Sequence, residues 1–111
     1  MIISKKEINN IICITMNGRL DAQSTPEAEA LIEGILKSNK LKLLFDFSGL
    51  DYISSAGLRV VLSAVKELRQ RGGKVVLCCL TDTVSEVFTI SGFTSIIPIT
   101  ATVETAIKEL S

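Results

Sequence analysis

The order of apolar segments in this chain predicts an α/β domain built on a mixed, mostly parallel sheet of about five strands with four helices. Two observations carry that reading. After an initial pair of strands, strand-like and helix-like patterns alternate to the end of the chain. The run Lys74–Leu80 (KVVLCCL) is apolar at every position after its first, as a strand covered on both faces must be.

The first two segments, residues 2–6 (IISKK) and 11–16 (IICITM), are rich in β-branched residues, and Glu7, Asn9 and Asn10 between them suit a turn, so a hairpin is expected. Gly18, Arg19, Leu20 and Asp21 read as a loop into the first helix, whose start is marked by Ser24, Thr25, Pro26 and Glu27. Thr25 before a proline at the first helical position is one N-cap; Ser24 with Glu27 is a competing capping box. Ala28, Leu31, Ile32, Ile35 and Leu36 then give one apolar face. Leu41, Leu43, Leu44, Phe45 and Phe47 form the next strand, followed by a loop and hydroxyls at Ser54 and Ser55. The second helix follows, with an inner stripe of Leu58, Val61, Leu62, Val65 and Leu68 and a stop at Gly72–Gly73. Beyond Leu80, Thr83 and Glu86 have capping-box spacing for a short helix ending at Gly92. Ile96, Ile97, Pro98 and Ile99 form a last strand that Pro98 assigns to a sheet edge, and Thr102 caps a terminal helix carrying Val103, Ala106, Ile107 and Leu110.

Composition narrows the function. A chain of 111 residues with 47% hydrophobic and 22% charged residues supports one packed domain over residues 1–111. Twelve basic residues balance twelve acidic ones, aromatic content is 5%, and Trp is absent, which argues against direct nucleic-acid binding. No apolar run approaches the roughly 18 residues of a membrane span, and the N-terminal charges follow a very short apolar start, unlike a signal peptide. A cytoplasmic protein without membrane contact is expected. Cys13, Cys78 and Cys79 are odd in number, sit in strand-like runs and have no His to complete a metal site, so they read as reduced core thiols, with no metal and no cofactor. The lack of His also removes the usual base of a Ser nucleophile, so no catalytic residue is assigned and an enzyme is not expected.

Three motifs resemble the STAS domain, the sulfate transporter and anti-sigma factor antagonist family: GRLD at Gly18–Asp21, FDFSGLDYI at Phe45–Ile53, and SSAGLR at Ser54–Arg59. Their order and the element order agree over essentially the whole chain. The resemblance implies an anti-sigma factor antagonist, which binds an anti-sigma factor that is usually also a Ser kinase and so frees the sigma factor. Phosphorylation of one Ser at the start of the second helix turns binding off, and a phosphoserine phosphatase restores it. With Gly57 and Leu58 anchoring the register, the carry-over points to Ser55 as that residue, with Ser54 in reserve where the family often has Asp. Ala56 cannot accept phosphate. Asp21 and Asp46 match family carboxylates near the phosphorylated Ser, and Gly57 and Arg59 complete the expected partner-binding or phosphosite-shaping set. Plainer readings stand beside these: Ser55 as a helix cap, Asp46 and Asp51 as strand-end and turn residues, Asp21 as a loop residue, and Arg59 as a solvated helix residue. The alternative function is a non-catalytic STAS subunit of a transport or other regulatory complex.

Overall fold

The computed structural model describes residues 1–111. Strands β1 (Ile2–Ile8) and β2 (Ile11–Leu20) form the expected hairpin, antiparallel with Ile8 opposite Ile11. Asn9 and Asn10 turn it with φ of 50° and 68°, left-handed values that Asn tolerates and that a two-residue hairpin turn requires. Helix α1 (Thr25–Leu36) leads to β3 (Lys42–Asp46), β4 (Leu50–Ile53) and α2 (Ser55–Gln70). The chain continues through β5 (Lys74–Cys78), α3 (Asp82–Ile90), a 3-10 turn over Phe93–Ser95, β6 (Ile99–Thr100) and α4 (Val103–Leu110).

The sheet has six strands, ordered β1-β2-β3-β5-β6, with β4 paired to β2 off this path. All pairings beyond the hairpin are parallel. The sixth strand is β4, in the stretch expected to be loop. It exists because β2 runs on to Leu20, through the segment also expected as loop, and changes partner on the way: residues 11–15 pair with β3 and residues 18–20 with β4. Gly18, at φ 115°, opens the β2–β4 ladder, whose register shifts between Gly18 and Arg19, and its N–H donates to the Gly49 carbonyl (2.9 Å).

Side chains alternate between two cores, as the pleat demands. Ile12, Ile14, Met16, Leu43, Phe45, Val75 and Leu77 point to one face, where α1, α2 and α3 pack on them. Ile11, Cys13, Leu44, Val76 and Cys78 point to the other, where Ala106 and Leu110 of α4 cover them. The doubly buried run in β5 therefore matches its two-faced environment.

Several helix starts differ from expectation. On α1 the cap position is Ser24, not Thr25, yet no capping box forms: the Ser24 hydroxyl is engaged by the preceding loop, donating to the Arg19 carbonyl (2.7 Å) and accepting from Asp21 N–H (2.9 Å). Helix α3 is capped by Thr81 rather than through Thr83 and Glu86, because the Thr81 hydroxyl accepts from Val84 N–H and also donates to the Leu50 carbonyl of β4 (2.9 Å). Thr102 caps α4 as expected, through Thr105 N–H. Pro98 precedes β6 rather than lying in it, but β6 is the expected edge strand. On α2 the buried set is Gly57, Val60, Val61, Ala64, Val65 and Leu68, while Leu58 and Leu62 are only partly buried. The stripe is thus rotated toward Val60 and Ala64, small residues that let the helix approach both the sheet and α1.

That rotation ranks two truncations. Leu68→Ala should cost about 2–5 kcal/mol, as fully buried Leu truncations do, and Leu62→Ala clearly less. Urea unfolding of both variants checks the order; an equal or larger loss for Leu62→Ala would put the wrong face of α2 inside.

Candidate functional site at the start of α2

The start of α2 is held against the end of β2 mainly by backbone atoms. The Ser54 N–H donates to the Leu20 carbonyl (2.9 Å), and Gly57 lies so close that a Cβ there would stand 2.5 Å from the same carbonyl oxygen and 2.9 Å from Leu20 Cγ. Only a residue without a side chain fits, which accounts for Gly57 in the GL pair. Ser54 is the N-cap, in extended conformation, and its Oγ accepts from Gly57 N–H at 3.1 Å. The cap reading therefore moves from Ser55 to Ser54. Ser55 is the first helical residue; it is exposed, and its hydroxyl makes no hydrogen bond within the chain.

The first N–H groups of a helix lack intrahelical acceptors, and here Ser54 satisfies only that of Gly57, so the positive end of α2 faces outward beside the Ser55 hydroxyl. Arg59 follows Ser55 by four residues, the spacing that places two side chains on one helical face. It is exposed, forms no ion pair, and lines a groove of about 740 Å³ between α1 and α2 together with Ala56 and Glu29.

Asp21 stands one residue past Leu20, at the same strand end. Its Oδ1 accepts from Gln23 N–H (3.0 Å) and Ser24 N–H (3.3 Å), and Arg19 Nε lies 3.7 Å from Oδ2. Partial desolvation alone would raise the carboxyl, but these hydrogen bonds, the Ser24 hydroxyl and the Arg19 charge outweigh it and hold Asp21 below the ordinary carboxylate range. Arg19 also stacks over the Tyr52 ring, 4.2 Å from its centroid, because Arg19 and Tyr52 are register partners in the β2–β4 pair. The two residues lie inside the GRLD and DYI motifs, and it is the pairing of β4 with β2 that brings them together.

Asp46 is not brought to this site. Its Oδ1 accepts from Ser48 N–H (3.0 Å), the turn role that was its plainer reading, and its carboxylate lies with Cys78 and Cys79, on the opposite face of the sheet from α2. No hydrogen bond or ion pair joins it to Asp21, Ser54 or Ser55. Ser54, Ser55 and Gly57 thus cluster on the first turn of α2, with Arg59 one turn along, beside the strand end that bears Asp21, and Asp46 stands apart.

A family model described as the STAS domain matches residues 3–106. The chain belongs to the STAS domain family. BtrV of Bordetella bronchiseptica, named as a candidate anti-sigma factor antagonist, is 39% identical over 106 residues, covering 96% of this chain and 91% of the relative. The anti-sigma-B factor antagonist of Listeria monocytogenes is 33% identical over 95 residues, covering 86% and 83%. Among solved structures, the anti-sigma factor antagonist SpoIIAA in its unphosphorylated form superposes with a TM-score of 0.84 at 24% identity, covering 97% of this chain and 95% of that one. SpoIIAA of Bacillus in its phosphorylated form superposes with a TM-score of 0.80 at 23% identity, covering 99% and 100%. The STAS fold expected from the three motifs is therefore the fold of this chain.

The tight seat of Gly57 yields a test. Gly57→Ala adds a methyl group that meets a backbone carbonyl with no side chain able to yield, so it should destabilise by about 1–3 kcal/mol, in the overpacking range. Ser54→Ala, which removes the cap, should cost about 1 kcal/mol. Thermal unfolding compares the two; a neutral Gly57→Ala would mean that α2 can slide away from Leu20.

Proposed function

We propose that this STAS protein is an anti-sigma factor antagonist and not an enzyme. Unmodified, it binds an anti-sigma factor that is also a Ser kinase and so releases a sigma factor; phosphorylation of Ser55 ends the binding, and a phosphoserine phosphatase restores it. The names of the relatives support the antagonist role. The observation that carries the choice of residue is the division of labour between the two hydroxyls: Ser54 is committed to capping, whereas Ser55 is exposed and free of internal hydrogen bonds.

Modifying Ser54 would sacrifice the cap, worth about 1 kcal/mol. Modifying Ser55 breaks no contact. A phosphate adds about −1.5 to −2 charges at the positive end of α2, where dipole and N–H groups favour it by about 0.3–2 kcal/mol. Arg59, one turn along, supplies a cation on the same helical face. The domain should therefore keep its fold when modified. The interface should not survive: burying a dianion against a partner shaped for a hydroxyl leaves unpaired charge, a loss of about 2–5 kcal/mol by analogy with truncated interfacial charge pairs. That loss corresponds to roughly 30- to 5,000-fold weaker binding. No helix is long and apolar enough to cross a membrane.

The test incubates the protein with the cognate kinase and ATP, locates phosphate by mass spectrometry, and measures affinity for Ser55→Ala, Ser55→Asp and Ser54→Ala. Ser55→Ala should bind but resist modification, Ser55→Asp should bind poorly with an unchanged circular dichroism spectrum, and Ser54→Ala should still be modified. Phosphate on Ser54 alone would shift the site by one residue. Wild-type binding by Ser55→Asp, with neither Ser modified, would leave the chain as a non-catalytic STAS subunit of a transport or other regulatory complex.

A further inference from the structure

On the face of the sheet away from α2, a second group of reactive side chains converges. The Asp46 carboxylate and the Cys78 and Cys79 thiols place one donor atom each within 4.8 Å of one another. Two backbone features bring them together. Asp46 is the register partner of Cys78 on the neighbouring strand, so both side chains leave the sheet on the same side at the carboxyl ends of parallel strands. Cys79 is the more telling case. Consecutive residues of a strand point to opposite faces, but Cys79 leaves the strand at φ 61°, a left-handed conformation that a residue with a Cβ adopts only at some cost. That turn swings its thiol back toward that of Cys78. The expectation that all three cysteines are shielded strand residues fails here: Cys13 and Cys78 are buried, but Cys79 is only half-buried.

The backbone around this group is pinned. The Phe47 N–H donates to the Cys78 carbonyl (3.0 Å), and the Cys79 N–H donates to the Thr100 carbonyl (3.2 Å). Cys78 is buried and Cys79 half-buried, so the group sits at the edge of the smaller core rather than in open solvent. A thiol that coordinates a metal ion does so as the thiolate.

We propose that Cys78, Cys79 and Asp46 form a binding site for a thiophilic divalent cation, of which Zn²⁺ is the natural form. Two thiolates and a carboxylate suit that ion, with a fourth position left to water. Ligand atoms around a tetrahedral zinc stand roughly 3.5–3.8 Å apart, as its bond lengths of about 2.0–2.3 Å require. A contraction of about 1 Å from the present limit is therefore enough. On binding, two S–H bonds break, two metal–sulfur bonds form, and the two protons pass to solvent. Cys13 lies on the same face but outside the group.

Cd²⁺ titrated into the reduced protein provides the test, read by thiolate-to-metal charge-transfer absorption and by mass spectrometry under native conditions. One equivalent should bind per chain. Cys79→Ala and Cys78→Ala should each abolish the absorption of the paired thiolates, and Asp46→Asn, which keeps an oxygen acceptor for the Ser48 N–H, should weaken binding at least about tenfold. Cys13→Ala should bind as wild type. Because Cys79 and Asp46 are at the rim of the core, their variants should retain the wild-type circular dichroism spectrum even if Cys78→Ala does not fold. Absence of the charge-transfer band in excess Cd²⁺, half an equivalent per chain, or loss of binding in Cys13→Ala with retention in Asp46→Asn would each overturn the assignment.

Discussion

The Leu20 carbonyl oxygen receives the N–H of Ser54 and lies in van der Waals reach of Gly57, and around that one atom the chain arranges its principal surface. It ends β2, starts α2, and sets the distance between them. Because β4 delivers Ile53 opposite Leu20, the residue that opens the helix has no freedom of position: Ser54 must follow at the strand end, and Ser55 must be the first residue beyond the cap. The exposed hydroxyl is thus held by covalent geometry and main-chain bonds rather than by side-chain packing. The proposed modification would therefore add charge at a point whose position is already fixed by main-chain hydrogen bonds.

Most of the architecture was legible because it is written in periodicities longer than a turn. The glycine stops after α2 and α3 and the Thr102 cap read correctly from local chemistry, and so does the β5 run as far as Cys78, beyond which Cys79 and Leu80 lie outside the strand. What escaped notice depends on pairing between distant segments. LDYI shows apolar residues only at Leu50 and Ile53, three apart, which resembles neither an alternating strand nor a buried one; it is a strand because β2 outlasts β3 and offers it a partner. The face that Asp46 takes could not be read from its own neighbours, since a one-residue change in where a strand begins reverses the facing of every side chain. Adjacent serines posed the same difficulty in miniature: both can cap, and only the position of Leu20 decides that Ser54 does.

The two faces of the sheet carry different chemistry. The face toward α1, α2 and α3 holds the larger core, built of aliphatic residues with Phe45, Phe47 and Phe88 in tilted aromatic contact, and ends in hydroxyls and a helix terminus. The face toward α4 is narrower and ends in two thiols and a carboxylate. Both groups lie at the carboxyl ends of the parallel strands, where loops diverge and side chains can converge without interrupting the ladder.

The margins of the sheet have a consequence for recognition. One margin is β1, whose exposed positions include Lys5, Lys6 and Glu7; the other is β6, two residues long and preceded by Pro98, which has no N–H to offer. Charged side chains on one side, and brevity with a missing donor on the other, are the devices that keep a sheet from accepting a foreign strand. Extension of the ladder by an incoming peptide is thereby discouraged at both ends. What is left for association is the helical side of the molecule, and the function proposed above accordingly puts recognition in the surface shape and charge around α1 and α2, beside the exposed Ser55.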